Sequence, residues 1–367
     1  MSLPTPPFRA EHVGSLLRPP ELKRASRDFL AGKIARDAFT AVQDECIRKA
    51  VKMQEEVGLR SISDGEFRRG SWFGGFIDAV DGLTARLAPL TFQGEEGQTS
   101  EFHGAYTEGP LARTRGIALP EYQFVRSVTG ETPKATLPAP SALHFFCFDD
   151  PINRSAYPED EAFWADLIAV YHQEMAALAE AGATFLQFDE CPVIMMADPN
   201  VRRMVESKGS DPDKLTDSYF DAMKAVLRGR PPGLRVAMHL CRGNYKGQWI
   251  GSGGYDRIAE RLFQELELDA YYLEYDSARA GSFEPLRFLR PGVTLVLGLV
   301  NTKRPELETA AFLRERIEQA ARFVNLDQLA ISPQCGFASS AGGNPLSEAE
   351  QVAKLRRVVE VAREVWG

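Results

Sequence analysis

Eight short apolar runs punctuate the chain, namely residues 8–15 (FRAEHVGS), 60–66 (RSISDGE), 134–143 (KATLPAPSAL), 184–190 (TFLQFDE), 235–241 (RVAMHLC), 270–276 (AYYLEYD), 294–300 (TLVLGLV) and 329–335 (LAISPQC). Most have the length and the β-branched or aromatic content of buried strands. Between them lie amphipathic stretches at 37–57, 159–181, 214–228, 255–267, 305–323 and 347–365, the last two with apolar residues at three- and four-residue spacing. Alternating strands and helices imply βαβ units and a parallel sheet. Eight such units predict one domain over residues 1–367, a single (β/α)8 TIM-type barrel. An open doubly wound sheet is the alternative.

The polar positions strengthen the barrel reading. His12, Glu66, Asp189, His239, Cys241, Glu274 and Cys335 all fall at or just past the C-terminal end of an apolar run. In a barrel those ends converge on one mouth, where an active site is expected. Residues around 84–135 fit poorly, being rich in Gly, Thr and Glu with weak periodicity, and read as an insertion forming a hairpin layer or lid. No internal repeat or disordered linker interrupts the pattern.

Composition narrows the function classes. The 367 residues are 44% hydrophobic, enough for a sizeable core, and the formal net charge is −8 with basic residues scattered among acids. No basic face is available to neutralise nucleic-acid phosphates. The start, MSLPTPPFRAEHVGS, lacks a basic segment followed by an apolar one, and no stretch approaches the ~20 apolar residues of a membrane span. The expectation is a cytosolic protein. Five widely spaced cysteines, Cys46, Cys147, Cys191, Cys241 and Cys335, suit reduced thiols, some of them ligands, better than a disulfide framework.

His239 and Cys241 are two apart at a strand end, so both side chains can point into the mouth. Cys335 ends the eighth run and Glu274 lies in the sixth, placed to meet them. Thiolate and imidazole ligands suit zinc. Each residue also has a plainer reading: a structural His and Cys, an inert core thiol, a carboxylate paired with Arg279 or Arg287. Their joint placement favours a metal site.

The segments EHVGSLLRP, SDGEFRRGSW, LQFDE, MHLCRGN, GGYD, YLEYD, LGLV and SPQCGF, in that order, resemble the catalytic half of cobalamin-independent methionine synthase, and especially its short single-barrel paralogues. The resemblance covers nearly the whole chain. It implies a zinc ion held by His239, Cys241, Glu274 and Cys335, and a homocysteine site in which Gly14 and Ser15 bind the carboxylate and Glu66 and Asp189 the amine. The expected reaction is transfer of a methyl group to the thiol of homocysteine or a close relative. The partners are then a small thiol and a methyl donor, with oligomeric state left open.

The sequence also departs from that family. Full-length members carry a further N-terminal half, whereas this chain begins at the catalytic half, so part of folate handling is expected to be missing. Phe146 stands where those enzymes have a Trp that stacks on the pterin, and stacks less extensively. Lys303 stands in place of the family's proton-donating His and becomes the candidate catalytic acid, or else an anion binder. His12 either orients the substrate or serves structure. Cys191, close to Asp189, reads as a packing residue, and residues 251–256 (GSGGYD) as a turn. Arg68, Arg69 and Trp72, following Glu66, are expected to line the same mouth and to bind an anionic group on the second substrate. Alternative functions are epoxide opening by a thiol such as coenzyme M, and zinc or thiol-metabolite binding without turnover; acids at the amine subsite favour an amino-acid thiol.

Overall fold

The computed structural model describes residues 5–367. Six parallel strands, Ala135–Pro138, Phe185–Glu190, Arg235–Leu240, Ala270–Glu274, Thr294–Val300 and Leu329–Pro333, pair each with the next in chain order. The result is an α/β fold built on a curved parallel sheet. Six of the eight apolar runs thus form the sheet, and the other two flank it. Ala10 makes a parallel bridge to Ile331 at one edge. At the other edge, Ser61–Ile62 pairs with Thr132–Pro133, which leads into the first sheet strand.

Side chains link the two flanks more than backbone does. Ser61 Oγ donates to Glu11 Oε1 at 2.6 Å, and His12 Nε2 donates to the Ser61 carbonyl at 2.9 Å. Leu16 N bonds Gly65 O at 3.1 Å. No ladder joins these two segments among the described residues, so the expected eight-stranded closed ring is not formed as continuous pairing. The reason is local. Both segments are rich in polar side chains, and Gly14 and Gly65 take positive φ values of 152° and 71° that break an extended run.

Four of the six predicted helical patterns form at close to full length, including Arg36–Val57 and Asp160–Glu180, which have no side-chain N-cap. Glu348–Trp366 starts at a capping box in which Ser347 and Glu350 satisfy each other's backbone, and Pro212–Arg228 is capped by Asp211. Arg36–Val57 stops at Gly58, left-handed at φ 96°. The pattern at 255–267 yields only Ala259–Glu265, because Tyr255 is buried under the sheet end with its hydroxyl donating to Glu274 O at 3.2 Å. The pattern at 305–323 shortens to Ala310–Ala320, capped by Thr309.

Both faces of the sheet are buried, as parallel sheets require. The outer face carries the main core under the helices, while Phe185, Ala237, Ala270, Tyr272, Val296 and Ala330 form a separate inner cluster. Below this cluster Lys134 is fully enclosed, 3.7 Å from Glu11 and 4.4 Å from the Tyr272 ring centre. This buried pair holds the first and third runs together.

The insertion is shorter than the sequence suggests and starts earlier. Val80–Leu87 and His103–Arg113 form an antiparallel hairpin, carrying a small second one, Phe92–Gln93 with Thr99–Ser100. Leu119–Val128, however, is an ordinary helix of the outer layer, and Thr132–Pro133 belongs to the sheet edge. The Gly- and Thr-rich composition that marks the hairpin continues past it, which blurs the boundary. Among the described residues no helix is long and apolar enough to cross a membrane.

Candidate active site

The two-residue period of the strands decides which side chains face inward at the C-terminal rim. Register places Asp189 beside His239, and His239 beside Tyr272. Two residues further along, Cys191, Cys241 and Glu274 follow on the same side. Ligand atoms of His239, Cys241 and Cys335 lie within 4.8 Å of one another, and all three residues are buried. Neither ring nitrogen of His239 has a hydrogen-bond partner. A buried imidazole left in that state is costly unless something occupies it. Cys191 Sγ lies 3.3 Å from Cys241 Sγ.

Electrostatics agree with a place for a cation. Contact with Cys191 raises the thiol of Cys241 well above its ordinary range, outweighing the opposite effect of Cys335, while contact with Cys241 raises that of Cys335; burial adds to both shifts, so without positive charge both remain protonated. Two thiols and an imidazole form a soft donor set that fits zinc. Glu274 is not in the cluster. Its Oε2 accepts from Arg242 N at 2.9 Å and its Oε1 from Arg279 at 2.8 Å. Burial alone would raise this carboxyl, but Lys303, Arg242 and Arg279 outweigh it and hold it at about 2.

Above the cluster opens a narrow pocket with a cavity volume of about 40 Å³. Of the residues expected from sequence, Ser15, Glu66, Phe146, Asp189, His239, Cys241 and Cys335 line it. Gly14 sits directly behind, where a Cβ would come within 3.1 Å of Glu66 Oε1. His12 does not line it: it is enclosed, pushed down to about 3 by burial and by Lys134, and ties the first run to Ser61. Lys303 lines a neighbouring cavity instead.

Glu66 and Asp189 are both raised to about 7, chiefly by burial. Glu66 also takes a left-handed backbone, φ 59°, with its amide donating to Asp64 Oδ1 at 2.8 Å. Strain of this kind in a non-glycine residue costs roughly 1–3 kcal/mol and concentrates at functional positions. Arg69 does not bind an open anion site, because it is clamped to Glu121.

Sequence reading missed several contributors. Arg18 donates to the carbonyls of Glu66, Arg69 and Ala338, each at 2.9 Å, and so fixes two rim loops. The insertion sends Phe92 into the pocket wall, stacked on Tyr245 at 5.2 Å. Gly336 allows Ser15 to approach, since a Cβ there would lie 1.9 Å from Ser15 Oγ. Only Arg18 left a usable trace, a basic residue inside an otherwise apolar segment.

A parallel sheet with a sulfur-lined cluster at its C-terminal rim and buried acids facing the same pocket defines an α/β protein of the methionine-synthase catalytic type. Residues 8–364 match the cobalamin-independent synthase catalytic domain, and the chain belongs to this family. The uncharacterized YxjH protein of Bacillus subtilis (strain 168) is 38% identical over 98% of this chain and 95% of its own length. A solved structure from Listeria monocytogenes superposes with a TM-score of 0.76 at 32% identity, covering 98% of each chain. A 5-methyltetrahydropteroyltriglutamate–homocysteine methyltransferase from Thermotoga sp. (strain RQ2) is 22% identical over 98% of this chain, which spans 45% of that protein.

Proposed function

We propose that this protein is a zinc-dependent methyltransferase acting on the thiol of homocysteine or a close amino-acid thiol. The observation that carries the reading is the cluster of His239, Cys241 and Cys335, with ligand atoms within 4.8 Å and an imidazole that has no partner. Those three side chains would hold the zinc ion. Glu274 joins them only by leaving Arg242 or Arg279, and Cys191 is the other neighbour in reach. Zinc held there supplies positive charge that makes a thiol easier to deprotonate near neutral pH.

The chain's own residues do the remaining work. Glu66 and Asp189 take the substrate ammonium and become fully ionised as they do so. The Ser15 hydroxyl and the backbone around Gly14 receive the carboxylate. Phe92, Phe146 and Trp72 exclude water from the sulfur, which raises its nucleophilicity toward a methyl carbon held in line. Amine-binding acids favour this over a sulfonated thiol. Phe146 in place of a stacking Trp, and Lys303 in place of a proton-donating His, further favour a methyl donor with a better leaving group than a methylated folate. We also read the ring as a (β/α)8 barrel completed by its two flanking segments, and the chain, whose five cysteines are free, as cytosolic.

The test is to purify the protein without added metal and measure zinc content. Methionine formation from homocysteine is then followed with methylcobalamin, a methyl sulfonium compound and methyltetrahydropteroyltriglutamate. About one zinc per chain and turnover with a donor support the reading. Zinc content near zero that Cys335→Ser leaves unchanged would sink it, and a clear preference for the folate would overturn the donor assignment.

A further inference from the structure

Beside the sulfur pocket lies a second cavity of about 440 Å³, walled by loops that follow the His239, Glu274 and Val300 strand ends and by the insertion. Its lining includes four cations, Lys246, Arg279, Lys303 and Arg304, against two acids, Glu95 and Asp276. Arg304 is already paired with Glu95. Lys303 is 6% exposed, and its Nζ has no hydrogen-bond partner. Around the same cavity Arg279 Nε, Ser277 Oγ, Gln248 Oε1 and Asp276 Oδ1 are likewise buried without partners. A single orphan is ordinary, but five on residues that line one cavity point to a place that a polar ligand completes.

The arrangement also specifies the ligand. Lys303 and the free edge of Arg279 supply cationic donors, while Asp276 Oδ1 is an acceptor. Arg279 has its guanidinium 4.4 Å from the Trp249 ring centre and one nitrogen on Glu274, which leaves its Nε as an unused donor beside the cavity. We propose that this cavity is a binding site for an oxyanion-bearing small molecule, whose carboxylate, sulfonate or phosphate group sits between Lys303 and Arg279 while a hydrogen-bond donor on the ligand meets Asp276. Lys303 is then an anion clamp. The inference does not depend on the thiol chemistry next door.

Calorimetric titration of the zinc-loaded protein with inorganic phosphate and with glutarate tests it. Saturable binding in the millimolar range or tighter is expected, weakened about tenfold by Lys303→Met and about threefold by Lys246→Gln. The second variant changes an exposed side chain and so keeps the test valid if the first fails to fold. Displacement of the anion by methyltetrahydropteroyltriglutamate assigns the site to the tail of a second substrate, and saturable binding without displacement assigns it to a free anion; both uphold the site. Absence of saturable binding, or wild-type affinity in the variants, overturns it, whatever the zinc content proves to be.

Discussion

The sulfur pocket and the charged cavity lie side by side over the same strand ends, yet their chemistry is opposite. The first gathers thiols and an imidazole with aromatic walls, and the second gathers cations, amides and hydroxyls. The difference follows from what carries them. His239 is set by strand register, Cys241 directly follows the same strand with its amide on Glu190 O, and Cys335 lies two residues past a strand, so all three are positioned by the ladder or its immediate extension. The cavity is built from segments 94–98, 246–249, 276–279 and 301–304, which are loops apart from the 3-10 turn that carries Arg279. A rigid strand end suits a group that must be placed to fractions of an ångström, whereas a loop suits a residue that selects among ligands. Glu274 belongs to both, being an inward strand residue whose carboxylate is held by the cavity's Arg279.

The largest effect should come from breaking the strand-borne half alone. Cys335→Ser is expected to abolish zinc retention and to lower methyl transfer by at least roughly 10³-fold. Phosphate binding in the neighbouring cavity should be unchanged. Metal analysis and calorimetry on the same preparation measure both. Loss of both properties together would show that the two regions form one site.

A smaller effect, and a pH signature, is expected at the acids. Glu66→Gln or Asp189→Asn should weaken amino-acid thiols roughly 10- to 100-fold, leaving thiols without an amine unaffected. Burial raises both carboxyls to about 7, so below that pH the free protein holds protons that an ammonium must displace. Affinity should therefore fall as pH drops below about 7, by up to roughly tenfold per pH unit per group. The sign for stability is opposite. Between the ordinary carboxyl range near ~4 and about 7 the folded chain holds protons that the unfolded chain has released, so these two groups make stability decline as pH rises through that window. Glu66→Gln should flatten that slope in denaturant titrations, and an unaltered slope would remove burial as the cause.

The sheet and its rim were legible because strand patterns and inward polar residues share one period. Six runs became the paired strands, and His239, Cys241 and Cys335 met as expected. The two flanking runs were less legible, because Glu11, His12 and Ser61 replace ladder bonds with side-chain ones that no periodicity reveals. The hairpin boundary was blurred by composition, and Phe92 enters the pocket through a fold-back that sequence distance conceals. Glu274 shows the limit of strand position as a guide: it faces inward as predicted, but charged neighbours from two loops decide what it touches.

A third change probes how tightly the rim is assembled. Gly336→Ala would put a Cβ 1.9 Å from Ser15 Oγ, so Ser15 must move. The expected cost is about 1–3 kcal/mol of stability, with weaker binding of thiols that carry a carboxylate and no change in zinc content. Thermal unfolding and a paired comparison of cysteamine with cysteine measure it. Unchanged discrimination between those two thiols would release Ser15 from carboxylate binding.

The smallest expected effect is the most discriminating about the fourth position of the metal cluster. Two residues stand next to His239, Cys241 and Cys335: Cys191, whose sulfur is 3.3 Å from that of Cys241, and Glu274, engaged by Arg242 and Arg279. Cys191 precedes the short helix Pro192–Met195 and is packed against the main core, which suits a small apolar side chain. If that is its role, Cys191→Ala keeps zinc at about one per chain, leaves activity within roughly threefold and costs about 1 kcal/mol or less in stability. Glu274→Gln then lowers zinc affinity and, by freeing Arg279, strengthens phosphate binding in the charged cavity. The reverse pattern, zinc lost in Cys191→Ala but retained in Glu274→Gln, would make the centre an all-sulfur-and-imidazole one and leave Glu274 as the counter-charge of the cavity's cations. Cobalt substitution separates the two cases by a readout independent of turnover, since the sulfur-to-cobalt charge-transfer intensity falls with each thiolate removed and is unaffected by loss of a carboxylate ligand.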